Sequence, residues 1–128
     1  KELENIQHDL FAIGAYFASP GVKSPEVRVK SLEKRVDGFE KLIDELTKTL
    51  PELRNFILPG GGKAGAQLHL ARTVCRRTER RIIALSKKES VDPAVVMYFN
   101  RLSDLLFTMA RFVNHMEKKK ETIWSSKA

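Results

Sequence analysis

The sequence predicts an all-α helical bundle, and three observations carry that prediction. Long segments place apolar residues three and four positions apart, the spacing that lines one face of a helix. Proline- and glycine-rich breaks separate those segments. No segment founds a sheet, because the apolar run Asn55 to Leu58 is too short and too isolated. At 128 residues the chain reads as one domain, 1–128, large enough to bury most of the surface its unfolded form exposes.

Residues 1–18 set Leu3, Ile6, Leu10, Ile13 and Phe17 in one stripe, with Gly14 a mild interruption. Ser19, Pro20, Gly21, Ser24 and Pro25 predict a surface connection, since each proline pushes the residue before it out of the helical region. A second helix is expected from about Glu26 to Leu50, on the stripe Val29, Leu32, Val36, Phe39, Ile43, Leu46 and Leu50, with Pro51 ending it. Its seam-like spacing favours shallow-angle bundle packing. Its outer charges, such as Glu33, Lys34, Glu40 and Lys41, read as solvated surface.

Pro59 to Gly62 let the backbone turn sharply and approach something closely. A third helix then runs from Lys63 to about Lys88. Asp92 and Pro93 have the pattern of an N-cap followed by a first-position proline, opening a fourth helix to about Lys118. Its stripe is Val95, Phe99, Leu102, Leu106, Met109, Val113 and Met116. The tail, 119–128, reads as frayed except where Trp124 docks.

The formal charge of +7 is informative once it is located. Residues 63–88 hold eight basic side chains against Glu79, so that helix alone accounts for the whole +7 and the rest of the chain is neutral. One basic helix in a neutral body suggests a localised anion site or an interface, rather than a general nucleic-acid or membrane surface. No run of about twenty apolar residues exists to span a bilayer, and no leader is visible before the first helix. An intracellular chain is expected, cytoplasmic or, in a eukaryote, in the mitochondrial matrix. The single cysteine, Cys75, excludes an internal disulfide or a zinc cage and reads as a small buried residue.

Arg72, Arg76 and Glu79 share a face of the third helix, and His69 extends their stripe. Two guanidiniums one turn apart make a clamp suited to phosphates, and the acid beyond them can orient an arginine or a metal. A surface ion-pair ladder has the same spacing. Arg77, Arg80 and Arg81 fall on other faces. On the fourth helix Asn100, Asp104, Phe107 and Arg111 also share a face; a pair between Asp104 and Arg101 or Arg111 that locks the bundle is the alternative to a site there.

Several catalytic templates fail. Gly62-Lys63 lacks the earlier glycine of a P-loop and is followed by Ala64 where Ser or Thr is required. No dinucleotide fingerprint follows a strand. His8, His69 and His115 are dispersed, and Cys75 lies on the apolar side of its helix with Leu68, Ala71 and Ile82. Electrostatic positioning is indicated; general acid-base chemistry is not.

The strings FILPGG at 56–61, LHLARTVCRRTERRI at 68–82 and NRLSDLLFTMAR at 100–111 closely resemble, in that order and spacing, the PduO-type ATP:cob(I)alamin adenosyltransferases. The resemblance implies a homotrimer of five-helix, ferritin-like up-down bundles that binds MgATP and cobalamin at subunit interfaces. The implied reaction transfers the 5′-deoxyadenosyl group of ATP to cob(I)alamin and releases triphosphate, with hand-off of the product to an adenosylcobalamin-dependent enzyme. Membrane and nucleic-acid partners are not implied.

Position by position, Arg76 resembles the arginine that binds the ATP phosphates, with Arg77 beside it. Glu79 resembles the acid supporting nucleotide and Mg²⁺ binding, and Asn100 the nucleotide-contacting asparagine. Arg72 resembles the arginine that pairs across the subunit interface with an aspartate of the family's first helix. Phe56 resembles the aromatic that closes the lower corrin face, Phe107 belongs to the same apolar wall, and Asp104 supports the site. The tail around Trp124 is expected to order over bound corrin. The family's N-terminal nucleotide loop and VDEL-like first helix are not found here, so four of its five helices are expected. Competing readings are a non-catalytic bundle whose basic helix binds an acidic partner or nucleic acid, and a cobalamin-binding chaperone. Against the first, Glu79 interrupts the basic face and aromatics interleaved for base stacking are missing.

Overall fold

A computed structural model of the chain describes residues 1–18 and 24–125, and of 24–30 the backbone only. Its helices are α1 (Glu2–Ala18), α2 (Ser24–Thr47), α3 (Lys63–Ser86) and α4 (Pro93–Met116). Their bounds follow local chemistry. At the start of α4 the Asp92 carboxylate accepts a hydrogen bond from the Ala94 N–H at 2.9 Å, with Pro93 in the first turn, which is the predicted cap. The helix stops at Met116, slightly before the predicted Lys118, which instead adopts a left-handed φ of 57°. α3 begins on the predicted Lys63 and ends at Ser86 rather than Lys88.

α2 differs more. Ser24 and Pro25, expected in the connection, belong to its first turn, where a missing proline N–H leaves no helical bond unmade. It ends at Thr47, before Leu50, in a turn where the Leu50 N–H reaches the Thr47 carbonyl at 3.0 Å. The remaining connection, residues 19–23, and the Val29 side chain lie outside the described residues.

The packing centre is α4, which lies against both α2 and α3. Val95, Phe99, Leu102 and Leu106 are buried as the predicted stripe requires, but so are Tyr98, Leu105 and Ala110. A helix flanked on more than one side buries more than one stripe. Each such large apolar side chain contributes about 1.5–3 kcal/mol. The stretch 54–85, where the functional signals concentrate, therefore leans on a helix half of whose residues are buried.

Polar side chains fix α1. The Tyr98 hydroxyl donates to Asp9 at 2.7 Å, and Arg35 donates to Asp9 at 2.7 Å and to Glu2 at 2.6 Å. Burial works against the Arg35 charge, yet its bonds to Asp9 and Glu2 outweigh that and raise its pKa. The α1 stripe is only half used: Ile6 and Ile13 are buried, whereas Leu3 and Leu10 remain exposed and, with Leu70 and Val74 of α3, line an apolar groove of 850 Å³.

Two surface assignments change. Glu40 is not simply solvated, because it accepts a hydrogen bond from Arg101 Nε of α4 at 2.8 Å. The tail is not frayed through Ser125. Ile57 and Ile123 form an antiparallel bridge, with the Leu58 N–H on the Thr122 carbonyl and the Trp124 N–H on the Phe56 carbonyl, each at 2.8 Å. Residues 126–128 lie outside the described residues. Among the described residues, no helix is long and apolar enough to cross a membrane.

Candidate functional site

The basic face of α3 meets α4 through aromatic and amide contacts. The Arg72 guanidinium lies 5.0 Å over the Phe107 ring, and His69, buried, packs edge-on against the same ring with centroids 5.8 Å apart. Burial, followed by the charge of Arg76, lowers the Arg72 pKa, and Asp104 opposes them. An arginine so shifted is still a cation. One turn on, the Asn100 amide donates to Glu79 at 3.1 Å and so fixes the acid against α4.

Arg76 and Arg77 are exposed and make no hydrogen bond or ion pair among the described residues. Arg72 and Arg76 are thus neighbouring cations on one side of α3, close enough for the Arg76 charge to act on Arg72, an arrangement suited to a polyanion. The ladder alternative is not what forms: Glu79 bonds an amide rather than an arginine of its own helix. Nor is Asp104 a lock. Arg101 pairs with Glu40, and Arg111 pairs with Glu121 at 3.0 Å, which leaves Asp104 exposed.

Hollows flank this seam. Glu79 and Asn100 line one of 540 Å³, and Asp104 and Phe107 line one of 450 Å³ beside α2; Arg101 borders both. Phe56 sits elsewhere, 81 % exposed, in a hollow of 760 Å³ with Trp124, the two rings edge-to-face at 6.4 Å. The sequence-predicted residues thus gather as an Arg72–Phe107–Asp104 group and a Glu79–Asn100 pair, with Phe56 on a separate rim.

Cys75 is buried, its thiol donating to the Phe99 carbonyl at 3.3 Å. Burial, with smaller effects of Glu79 and Asp104, pushes that thiol up to about 12, so it remains protonated and is no nucleophile. Among the described residues, no group of three or more His, Cys, Asp or Glu is placed to hold a metal ion.

Sequence reasoning missed Asn114. Its fully buried carboxamide accepts from the Gly62 N–H at 3.0 Å and donates to the Gly60 carbonyl at 2.9 Å. Gly61 holds a φ of 109°, and a Cβ at Gly61 or Gly65 would strike that carboxamide. The close approach expected of the glycine turn is therefore to α4. The available signal was register: Asn114 stands three residues beyond Arg111, on the polar stripe that begins at Asn100.

A sequence model of the family described as cobalamin adenosyltransferase matches residues 1–113. A cobalamin adenosyltransferase of Cupriavidus metallidurans is 40% identical over 125 residues, 95% of this chain and 63% of its own length. The corrinoid adenosyltransferase PduO of Citrobacter freundii is 45% identical over 113 residues, 88% of this chain and 34% of its own. The chain thus spans less than two thirds of these relatives. A phenylalanine variant of a PduO-type ATP:corrinoid adenosyltransferase from Lactobacillus reuteri, complexed with cobalamin and ATP, superposes with a TM-score of 0.86 at 34% identity, covering 98% of this chain and 69% of that one.

Proposed function

The chain belongs to the cobalamin adenosyltransferase family, and we propose that it transfers the 5′-deoxyadenosyl group of MgATP to cob(I)alamin, forming adenosylcobalamin and triphosphate. The observation that carries this reading is the α3–α4 seam, where unneutralised arginines stand beside a carboxylate held by an amide.

In this reaction the cobalt(I) electron pair attacks C5′ as the C5′–O bond breaks and its electrons leave with the triphosphate. The substrate itself is the nucleophile, so the protein needs no base. Its tasks are to align cobalt with C5′ and to stabilise charge on the departing phosphates. Arg76, with Arg77 beside it, takes the phosphates. Glu79, steadied by Asn100, orients the nucleotide, and the magnesium is that of the MgATP substrate. Arg72 works at a subunit interface in a homotrimer. Phe56 and Phe107 are both assigned to the corrin, although they line separate hollows rather than the one apolar wall expected, and Asp104 tempers the Arg72 charge. The product passes to an adenosylcobalamin-dependent enzyme in the cytoplasm or mitochondrial matrix.

Mixing the full-length protein with MgATP and cob(I)alamin tests the reading by absorbance. Conversion to the adenosylcobalamin spectrum is expected, and no conversion would overturn it. Arg76→Ala should abolish conversion while leaving helical circular dichroism intact. Normal turnover in that variant rejects the phosphate role.

A further inference from the structure

Two buried polar side chains on the last turns of α4 lie outside the seam just described. Arg111 is 7 % exposed and Asn114 2 %. Buried groups of this kind are costly unless bonded, and each bonds the segment between α2 and α3. Arg111 donates to the Pro51 carbonyl at 3.0 Å, and Asn114 bonds Gly60 and Gly62. The segment is therefore pinned from beneath on either side of Phe56. Between the pins it pairs with the tail, and the tail is tied to the same helix by the two-point Arg111–Glu121 ion pair.

What this underpinning carries is apolar and open. Phe56, Ile123 and Trp124 are 81, 58 and 53 % exposed, side by side on the outer surface. A tightly bonded base under an exposed aromatic surface is the arrangement expected of a preformed seat for a flat apolar ligand.

We propose that Arg111 and Asn114 are positioning residues that hold Phe56 and Trp124 as one aromatic platform, setting the height at which it meets the corrin face. The identity of the ligand rests on the adenosyl-transfer reading; the coupling of loop and tail rests on the bonds above.

Trp124 is the only tryptophan, so its fluorescence reports the platform in the full chain without any ligand. Asn114→Leu and Arg111→Met should each shift Trp124 emission to the red and increase its quenching by acrylamide, with helical circular dichroism unchanged. If Asn114→Leu does not fold, Arg111→Lys, which keeps the charge and loses the planar fork, carries the same expectation. With cob(II)alamin and MgATP added, the variants should lose the four-coordinate cob(II) electron paramagnetic signal while ATP affinity stays at the wild-type value.

An unchanged Trp124 spectrum in the folded variants overturns the proposal. So does an unchanged cob(II) signal, or a parallel loss of ATP affinity, which would mark a general structural role. A wild-type chain that binds no cobalamin, found together with the Trp124 shift, supports the platform and overturns the adenosyl-transfer reading instead.

Discussion

The guanidinium of Arg72 lies 5.0 Å over the ring of Phe107, so a cation of the basic helix is held by an aromatic of the central one. Partly buried contacts of this kind contribute about 1–2 kcal/mol. The same ring lines, with Asp104, the hollow beside α2. Under the proposed function, Phe107→Leu frees the guanidinium and should lower kcat/KM for cob(I)alamin roughly tenfold. Phe107→Tyr, which keeps the ring, should restore most of it. Steady-state kinetics at saturating MgATP make the comparison, and a wild-type kcat/KM in Phe107→Leu would reject the coupling.

Phe56 offers a cleaner separation of binding from stability. Because it is 81 % exposed, removing its ring empties no core, and Phe56→Ala should melt within a few degrees of wild type. ATP binding, assigned to the far side of the glycine turn, should persist. The four-coordinate cob(II) signal should vanish, since nothing then keeps an axial ligand off the lower corrin face. Retention of that signal in Phe56→Ala rejects the assignment.

The helices were legible because their apolar spacing and punctuation act locally: Asp92 caps through a bond to Ala94, two residues away. The Arg72–Arg76–Glu79 face was legible for the same reason. Glu79 and Asn100 each lay on a recognisable stripe, but that one bonds the other, 21 residues away, depends on how two helices meet. Asn114 lay on the polar stripe of α4 and Glu40 on the charged face of α2, but their partners, a backbone turn and Arg101, lie 52 and 61 residues away, and helical register does not reveal a partner on another element. The double-sided burial of α4 followed from its central position, which no single helical pattern encodes.

His69 predicts a dependence on acidity. It is buried, its Nε2 finds no partner among the described residues, and it packs on Phe107. Burial, then the charge of Arg72, lowers its pKa from 6.5, with Glu121 opposing. Below about pH 6.5 the unfolded histidine takes up a proton that the folded one refuses, so stability falls as the pH drops from there towards the folded value. His69→Leu removes this dependence. Thermal melts at about pH 7 and about pH 5 should show a steeper loss in wild type than in His69→Leu. Parallel losses would assign the acid sensitivity elsewhere.

The glycine turn supplies a pair of substitutions, one residue apart, with opposite expectations. Gly61 combines a φ of 109° with a Cβ position occupied by the Asn114 carboxamide, and that carboxamide cannot retreat without breaking its bonds to Gly60 and Gly62. Left-handed strain and overpacking each cost about 1–3 kcal/mol. Gly61→Ala should therefore lower the Tm by roughly 7–22 °C for a chain of this size. At Gly60 a Cβ meets nothing within 4 Å, and no left-handed φ is required. Gly60→Ala removes freedom from the unfolded chain and should leave the Tm unchanged or raise it slightly. Calorimetry on the two variants decides the matter: equal effects would mean that Asn114 does not hold the turn from α4.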